Sequence, residues 1–426
     1  MQLFQKWTRL LALCLLVLSF SACMKDTCWR TYAVFTPVYK TSQEVRNAIG
    51  SAAPQPIEQP GKFFVKDQYI FLNEVDKGIH IIDNSNPAAP VNKYFIAIPG
   101  NQDLAVSGNY LYADLYADMV TIDITDPTKV AVKQYQPGVF PFRMWSNGFI
   151  ASDTNKIITE WIRRDTTVKE ECGSTGFFGK DRKDVVIFDM MASSFSGVRA
   201  NASRPPSSGQ SGSMARFALV EPYLYTVTTN GLNTFDVTNP SLPVFKGNQE
   251  IGWGIETIYP FKQNLFIGST TGMFIYGLSN PVAPIRTGMF SHARACDPVV
   301  ADDDFAYVTL RSGTACTNAS NQLDILDVRN LSAPTLIKSY TMTNPHGLAV
   351  QGNDLFICDG KAGLKWYDVS DKRDIRLLDT AIGMETYDVI VSGDLVMLVA
   401  KDGLYQYRLQ ASNRFSMLSK IGYPSK

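Results

Sequence analysis

Histidine is the scarcest chemical resource in this chain. Only His80, His292 and His346 occur among 426 residues. A catalytic metal centre built on several imidazoles is therefore not expected. The seven cysteines include no C-x-x-C spacing, which argues against a thiolate metal site. No charge surplus exists either: 40 basic residues balance 40 acidic ones. Nucleic acid, which rewards a basic excess, is not an expected partner. The chain also lacks a G-x-S-x-G elbow, an H-E-x-x-H pair, a phosphate-cradling glycine loop and an EF-hand loop. With 45% hydrophobic residues it still has ample material for a core.

The first 22 residues read as a processing signal. Lys6 and Arg9 precede an apolar run, Leu10 to Leu18, that is too short to span a bilayer. Ser19, Ser21 and Ala22 then lead into Cys23. The pattern resembles a bacterial lipoprotein signal, although Phe20 stands where an aliphatic residue is usual. It implies that Cys23 is lipidated and that the mature chain sits on a membrane of the bacterial cell envelope, with the outer membrane the expected one, facing the periplasm or the outside. Removal of Cys14 and acylation of Cys23 leave five cysteines. Export permits disulfides, and Cys296 and Cys316 are candidates to pair within one repeat.

What the chain has in abundance is repetition. The stretch G-I-H-I-I-D-N-S-N-P-A-A-P from Gly78 combines a short apolar strand with a turn that stops it. Relatives begin at Met119, Val185, Gly231, Gly272, Leu323, Gly363 and Gly403. Aligned on Asp83, Asp123, Asp189, Asp236, Gly277, Asp327, Asp368 and Arg408, they are spaced by 40, 66, 47, 41, 50, 41 and 40 residues. Upstream of the anchors lie two-strand signatures such as L-A-V-Q-G-N-D-L-F-I-C from Leu348, and downstream a further extended run. Four strands in about 40–45 residues describe a β-propeller blade. A blade cannot bury both of its faces alone, and a closed ring covers every one. The expected fold is all-β, a propeller of eight four-stranded antiparallel blades over residues 61–426, or seven if the first and last units share a blade. Residues 23–60 are expected to form an anchored linker with a short helix around Ser42 to Ile49, and Arg30 to Lys40 a strand that latches onto the ring. Residues 160–183 and 193–213 read as insertions on either side of the third repeat's strand.

The motifs L-D-I-L-D-V at Leu323, V-V-I-F-D at Val185 and L-N-T-F-D-V at Leu232 resemble those of the LVIVD-repeat proteins of bacterial surfaces. The likeness runs from about Gly61 to Leu409. G-I-H-I-I-D-N-S-N-P and L-Y-A-D-L-Y are similar to stretches of Bacteroidota lipoproteins that carry the repeat. The resemblance implies a propeller and brings no catalytic residue set. Gly277 and Arg408 depart from the anchor Asp, which points to a turn-forming role for that residue, through bonds to nearby backbone N–H groups. His80, between Ile79 and Ile81, reads as a structural blade residue.

In a propeller the residues just before each inner strand surround the mouth of the central channel. The repeat alignment places Gln102, Asp103, Arg143, Arg216, Glu256, Asp297, His346 and Asp388 there, with His292 just ahead of Asp297. Such a ring suits a polar ligand or a hard cation, so no cofactor is evident and Ca²⁺ is the metal to test. The expected function is a binding module for a macromolecule, protein or glycan, or for a polar ligand. A hydrolase or lyase acting on a carbohydrate, peptide or lactone, and a structural part of an envelope complex, are the alternatives.

Overall fold

A computed structural model describes residues 27–141, 143–144, 150–151, 156–171, 186–189, 210–292, 298–312 and 321–424. The chain divides into two compact units, Met1–Tyr39 with Ile158–Ser194, and Lys40–Ile157 with Phe195–Lys426. The larger is a β-propeller of seven blades, each with four antiparallel strands in sequence order. The inner strands are Pro60–Lys66, Leu104–Ser107, Phe217–Val220, Ile255–Phe261, Val299–Ala301, Leu348–Gln351 and Thr386–Ser392. The outer strands are Val91–Ala97, Ala131–Gln136, Val244–Glu250, Ile285–Ser291, Thr335–Thr341, Arg376–Ala381 and Arg414–Gly422.

Seven is the lower of the two expected counts, and the reason differs from the one anticipated. The first and last units do not share a blade. The unit aligned at Asp189 leaves the ring instead: its strand Val186–Asp189 pairs with Thr27–Lys40, in a three-stranded sheet completed by Ile157–Glu171. Register runs from Tyr32 opposite Asp189 to Phe35 opposite Val186. The segment expected to latch onto the ring thus belongs to this smaller sheet. Tyr32, Ala33 and Ile158 are buried there, and Cys28 is disulfide-bonded.

Alternation explains why blade strands are apolar along their whole length. In blade 1, Phe64, Phe71, Ile79 and Ile81 point into one core layer with Leu104 and Phe217, from the next two blades. Phe63, Ile70, Leu72 and Ile82 point the other way, into a layer with Ile390, Met397 and Val399 of blade 7. Both faces of a blade are covered by neighbours, so both alternating sets are hydrophobic. Each fully buried Phe, Leu or Ile contributes about 1.5–3 kcal/mol of transfer free energy. Closure of the ring rests on that second layer and on polar contacts. Asn84 and Gln406 exchange amide hydrogen bonds at 2.9 and 2.6 Å, and Ser419 Oγ donates to Pro87 O at 2.6 Å.

Turn chemistry repeats with the strands. Oδ1 of Asp83, Asp123, Asp236, Asp327 and Asp368 accepts the backbone N–H two residues on, at 2.9–3.1 Å. Each blade also has a bulge at the same place between its third and outer strands. In the first three blades the bulged residue is Lys93, Lys133 or Lys246, and its Nζ meets the anchor Asp at 2.8, 2.9 and 3.0 Å. The bulge turns a side chain that would otherwise alternate away back over the turn. Bonds from the Thr125 and Thr238 side chains and backbone N–H groups, and after them from Lys133 and Lys246, hold the Asp123 and Asp236 carboxyls down at about 2. Gly78 begins the third strand of blade 1 at φ 145°, where a Cβ would lie 2.0 Å from Ile96 O.

Ahead of blade 1, Thr41 caps a short helix, α1 (Ser42–Asn47), in a capping box with Glu44. Val45 is buried, and Arg46 pairs with Asp118 at 3.0 Å while lying over the Tyr135 ring. Gly50–Ala52 then adds a strand outside Val91–Ala97.

Candidate functional site

Strand direction assigns every loop to a face. Inner strands start, second strands end and outer strands end on the same side, so that side carries all links from one blade to the next. Seven residues occupy equivalent places in register: Asp103, Arg216, Pro298 and Gly347 stand just before their inner strands, and Lys62, Thr257 and Asp388 stand at irregularities near the start of theirs. Charges therefore fall on blades 1, 2, 3 and 7.

Three of these charges form one network. Lys62 Nζ donates to Asp103 Oδ2 at 2.8 Å, and the same oxygen accepts the Arg216 backbone N–H at 2.5 Å. Burial lowers the Lys62 ammonium pKa and the Asp103 carboxylate opposes that shift. The Arg216 guanidinium lies 5.0 Å from the Phe140 ring centre and donates to Val227 O. Behind Asp103, Oδ1 of Asp114 accepts from the backbone N–H groups of Gln102 and Asp103 and from Asn101 Nδ2, each at 2.8 Å. Glu74 and Asp359 clamp two successive N–H groups before the inner strands of blades 1 and 6 in the same manner. Acidic residues at the ends of second strands thus fix the entry loops. His80 belongs to this scaffold, with Nε2 3.3 Å from Glu74 Oε2 and its ring against Phe95.

Asp388 is held differently. Its Oδ1 accepts from the Ser213 backbone N–H at 3.1 Å, and Ser213 Oγ in turn accepts from Leu348 N at 2.5 Å. Residues Gln210–Ser211 pair with the inner strand of blade 1, while Gln210 Nε2 donates to Val391 O of blade 7. The carboxylate is wedged between two glycines: a Cβ at Gly212 would lie 1.5 Å from Oδ2 and one at Gly347 2.0 Å from Oδ1. Ser213 is fully buried. Asp388 is therefore a staple between blade 7 and an inward strap.

Arg311 follows the second strand of blade 5 and is only 3% exposed. Its Nη1 lies 2.5 Å from Nδ1 and 3.2 Å from Nε2 of His346, which is 4% exposed. Burial and the Arg311 charge push the His346 pKa down to about 3, so the imidazole is neutral and can accept. Burial also lowers the Arg311 pKa to about 10, against a Coulombic pull from Glu256. Tyr387 meets the His346 ring edge-on at 5.5 Å, and Asn344 Nδ2 lies 3.2 Å from Nε2.

The remaining expected residues are dispersed. Gln102 donates to Asp76 Oδ1 at 3.3 Å. His292 follows the outer strand Ile285–Ser291, and its backbone N–H bonds Thr271 O. Arg143 lies in a two-residue strand opposite Ala151. Asp297, Cys296, Cys316 and Cys23 lie outside the described residues, as does most of 193–213. Among the described residues, no group of three or more His, Cys, Asp or Glu is placed to hold a metal. Lys62 and Arg311 were not anticipated. The alignment of entry loops started at the second repeat and so passed over Lys62, while Arg311 lies beyond a strand end that the repeat does not mark.

The same face carries Trp253, 68% exposed, in the link I-G-W-G before the inner strand of blade 4. Gly252 and Gly254 flank it at φ 139° and 72°, and a Cβ on Gly254 would lie 2.1 Å from Thr270 Oγ1. The two glycines fix a backbone path that turns the indole outward. Ile382, 74% exposed, lies in the link to blade 7.

Against known families, the LVIVD repeat matches residues 63–95, 100–135, 211–250 and 294–342. These stretches fall on blades 1, 2, 3 and 5, and none falls on Val186–Asp189. Among proteins with curated descriptions, none matches the sequence. Among solved structures, the computationally designed Ika8 protein superposes with a TM-score of 0.50 at 7% identity, covering 87% of this chain and 89% of its own. A protein from Lactobacillus plantarum aligns with a TM-score of 0.49 at 12% identity, over 93% and 97% of the two chains. A periplasmic gluconolactonase of Pseudomonas aeruginosa gives 0.49 at 10% identity, over 93% and 98%. At such identities the likeness concerns the fold alone.

Proposed function

We propose that this chain, which carries LVIVD repeats and folds as a seven-bladed propeller, is a binding module of the bacterial cell envelope, anchored through a lipid on Cys23. Its ligand is a macromolecule or polar compound received on the face that carries the blade-to-blade links. Trp253 carries the reading. An indole left largely in water contributes nothing to the core, yet paired glycines at conformations other residues rarely adopt hold it outward. Exposed Trp with one apolar face is the residue type that most often anchors an interface. Lys62, Asp103 and Arg216 on this face are tied together by hydrogen bonds, which lowers the ordering cost of binding.

The test is a thermal-shift and titration panel of envelope glycans, peptides and Ca²⁺ on the chain beginning at Cys23, made without the lipid. A ligand at 100 times its Kd should stabilise the fold by about 2.7 kcal/mol. Trp253→Ala is expected to leave the unfolding temperature of the free protein nearly unchanged and to weaken ligand binding at least tenfold. Equal affinity in the variant would remove Trp253 from the site. A flat response to the panel, together with capture of an envelope protein, would favour the structural-component alternative.

A further inference from the structure

Arg311 holds a charge whose environment is incomplete. Its side chain is almost wholly buried, and Nη1 is committed to His346, a neutral acceptor that offers no compensating charge. Nε is buried and donates to nothing. Among the described residues, Nη2 makes no hydrogen bond and Arg311 no ion pair. The free edge, Nε with Nη2, is the one that meets a planar carboxylate through two parallel hydrogen bonds. A buried cation with an unsatisfied donor edge is costly unless an anion completes it.

We propose that the Nε–Nη2 edge of Arg311 is the docking point for a ligand carboxylate at the channel mouth. The assignment rests on the reading of this face as the binding face and adds the chemical class of the group recognised. His346 fixes the guanidinium through Nη1, and Asn344, Tyr387 and the Thr309 hydroxyl, which donates to the His346 carbonyl at 2.8 Å, hold His346 in turn. One guanidinium balances one negative charge. Glu256, within Coulombic reach of Arg311, disfavours a doubly charged group such as a phosphate monoester. The carboxylate can come from a uronic acid or from a peptide C-terminus.

Two matched pairs of probes separate these sources: D-galacturonate against D-galactose, and trialanine against its C-terminal amide. Each is titrated calorimetrically into the chain beginning at Cys23, at constant ionic strength set with sodium chloride. The acid of at least one pair should bind at least tenfold more tightly than its neutral partner, and the responding pair identifies the source. Arg311→Gln is expected to abolish that preference, Arg311→Lys to reduce it, and Glu256→Gln to strengthen acid binding several-fold. The wild-type comparison stands even if an Arg311 variant fails to fold. No acid preference in the wild type overturns the inference, as does a preference that survives in Arg311→Gln. Acid binding seen only in Asp297→Asn would identify an internal counter-ion and also overturn it. Loss of neutral-ligand binding in Trp253→Ala reports on the face independently of the carboxylate.

Discussion

His346 shows how a single residue can be invisible by type and decisive by setting. Its ring is sealed against Arg311, and both burial and that charge oppose protonation, so the folded-state pKa falls to about 3. An unfolded chain binds the same proton near 6.5. Between those values the unfolded state holds more protons than the folded one, so stability must drop as the pH falls from about 6.5 toward 3. The loss approaches about 1.4 kcal/mol per pH unit for one fully coupled site. Above 6.5 the site is neutral in both states and contributes no slope. Urea unfolding of wild type and His346→Gln at several pH values isolates the effect, because the other titrating groups are common to both proteins. Parallel stability curves through this window would refute the assignment. In the sequence His346 stood out as a candidate through its place before an inner strand. Its partner did not, because the repeat fixes positions within strands and says little about the residue just past a strand end.

Elements explain most of what could and could not be read beforehand. Blades were legible because a period-2 apolar pattern, a stopping Asp and a turn recur together. The unit at Val185 carries the same local pattern, yet its strand pairs with Tyr32–Phe35, and pairing partners leave no trace in a strand's own alternation. The closure of the ring did leave a trace that is easy to overlook. After the anchor residue the repeats carry Ile124, Val237, Leu278, Val328, Val369 and Leu409, but blade 1 carries Asn84. Gln406 likewise stands where the other blades carry Ile81, Thr121, Thr234, Ile275, Ile325 and Trp366. The two exceptions meet across the seam between blades 7 and 1. Removing one amide strands the other in a buried site, so Asn84→Ala or Gln406→Ala should each cost about 1–3 kcal/mol. The double variant should cost less than the sum, since neither orphan remains. Urea midpoints for the four proteins decide this, and strict additivity would mean that the pair is not coupled.

At the scale of the whole molecule, the long stretch between blades 2 and 3 is the feature that the repeat cannot explain. It leaves the ring after blade 2 and returns before blade 3, and in between it contributes strands to a separate sheet. Its last residues do not belong to that sheet: Gln210–Ser213 run along blade 1 and hold Asp388 of blade 7. Phe140 and Phe217, on either side of the interval, have ring centres 5.5 Å apart, so the blades it joins already touch through their own side chains. The apolar layers between blades are built mainly from the blade strands themselves. Replacing residues 142–209 by a flexible Gly/Ser linker is therefore expected to leave one cooperative thermal transition with strand-type circular dichroism. Deleting on to residue 214 as well removes the strap, leaves the Asp388 carboxylate without its Ser213 donors, and should lower the transition clearly. A broad, non-cooperative transition in the shorter deletion would show instead that the inserted unit holds the ring together. If the ring survives and binds the same ligand, the site belongs to the propeller alone; if it survives and binding is lost, the inserted unit contributes part of that site.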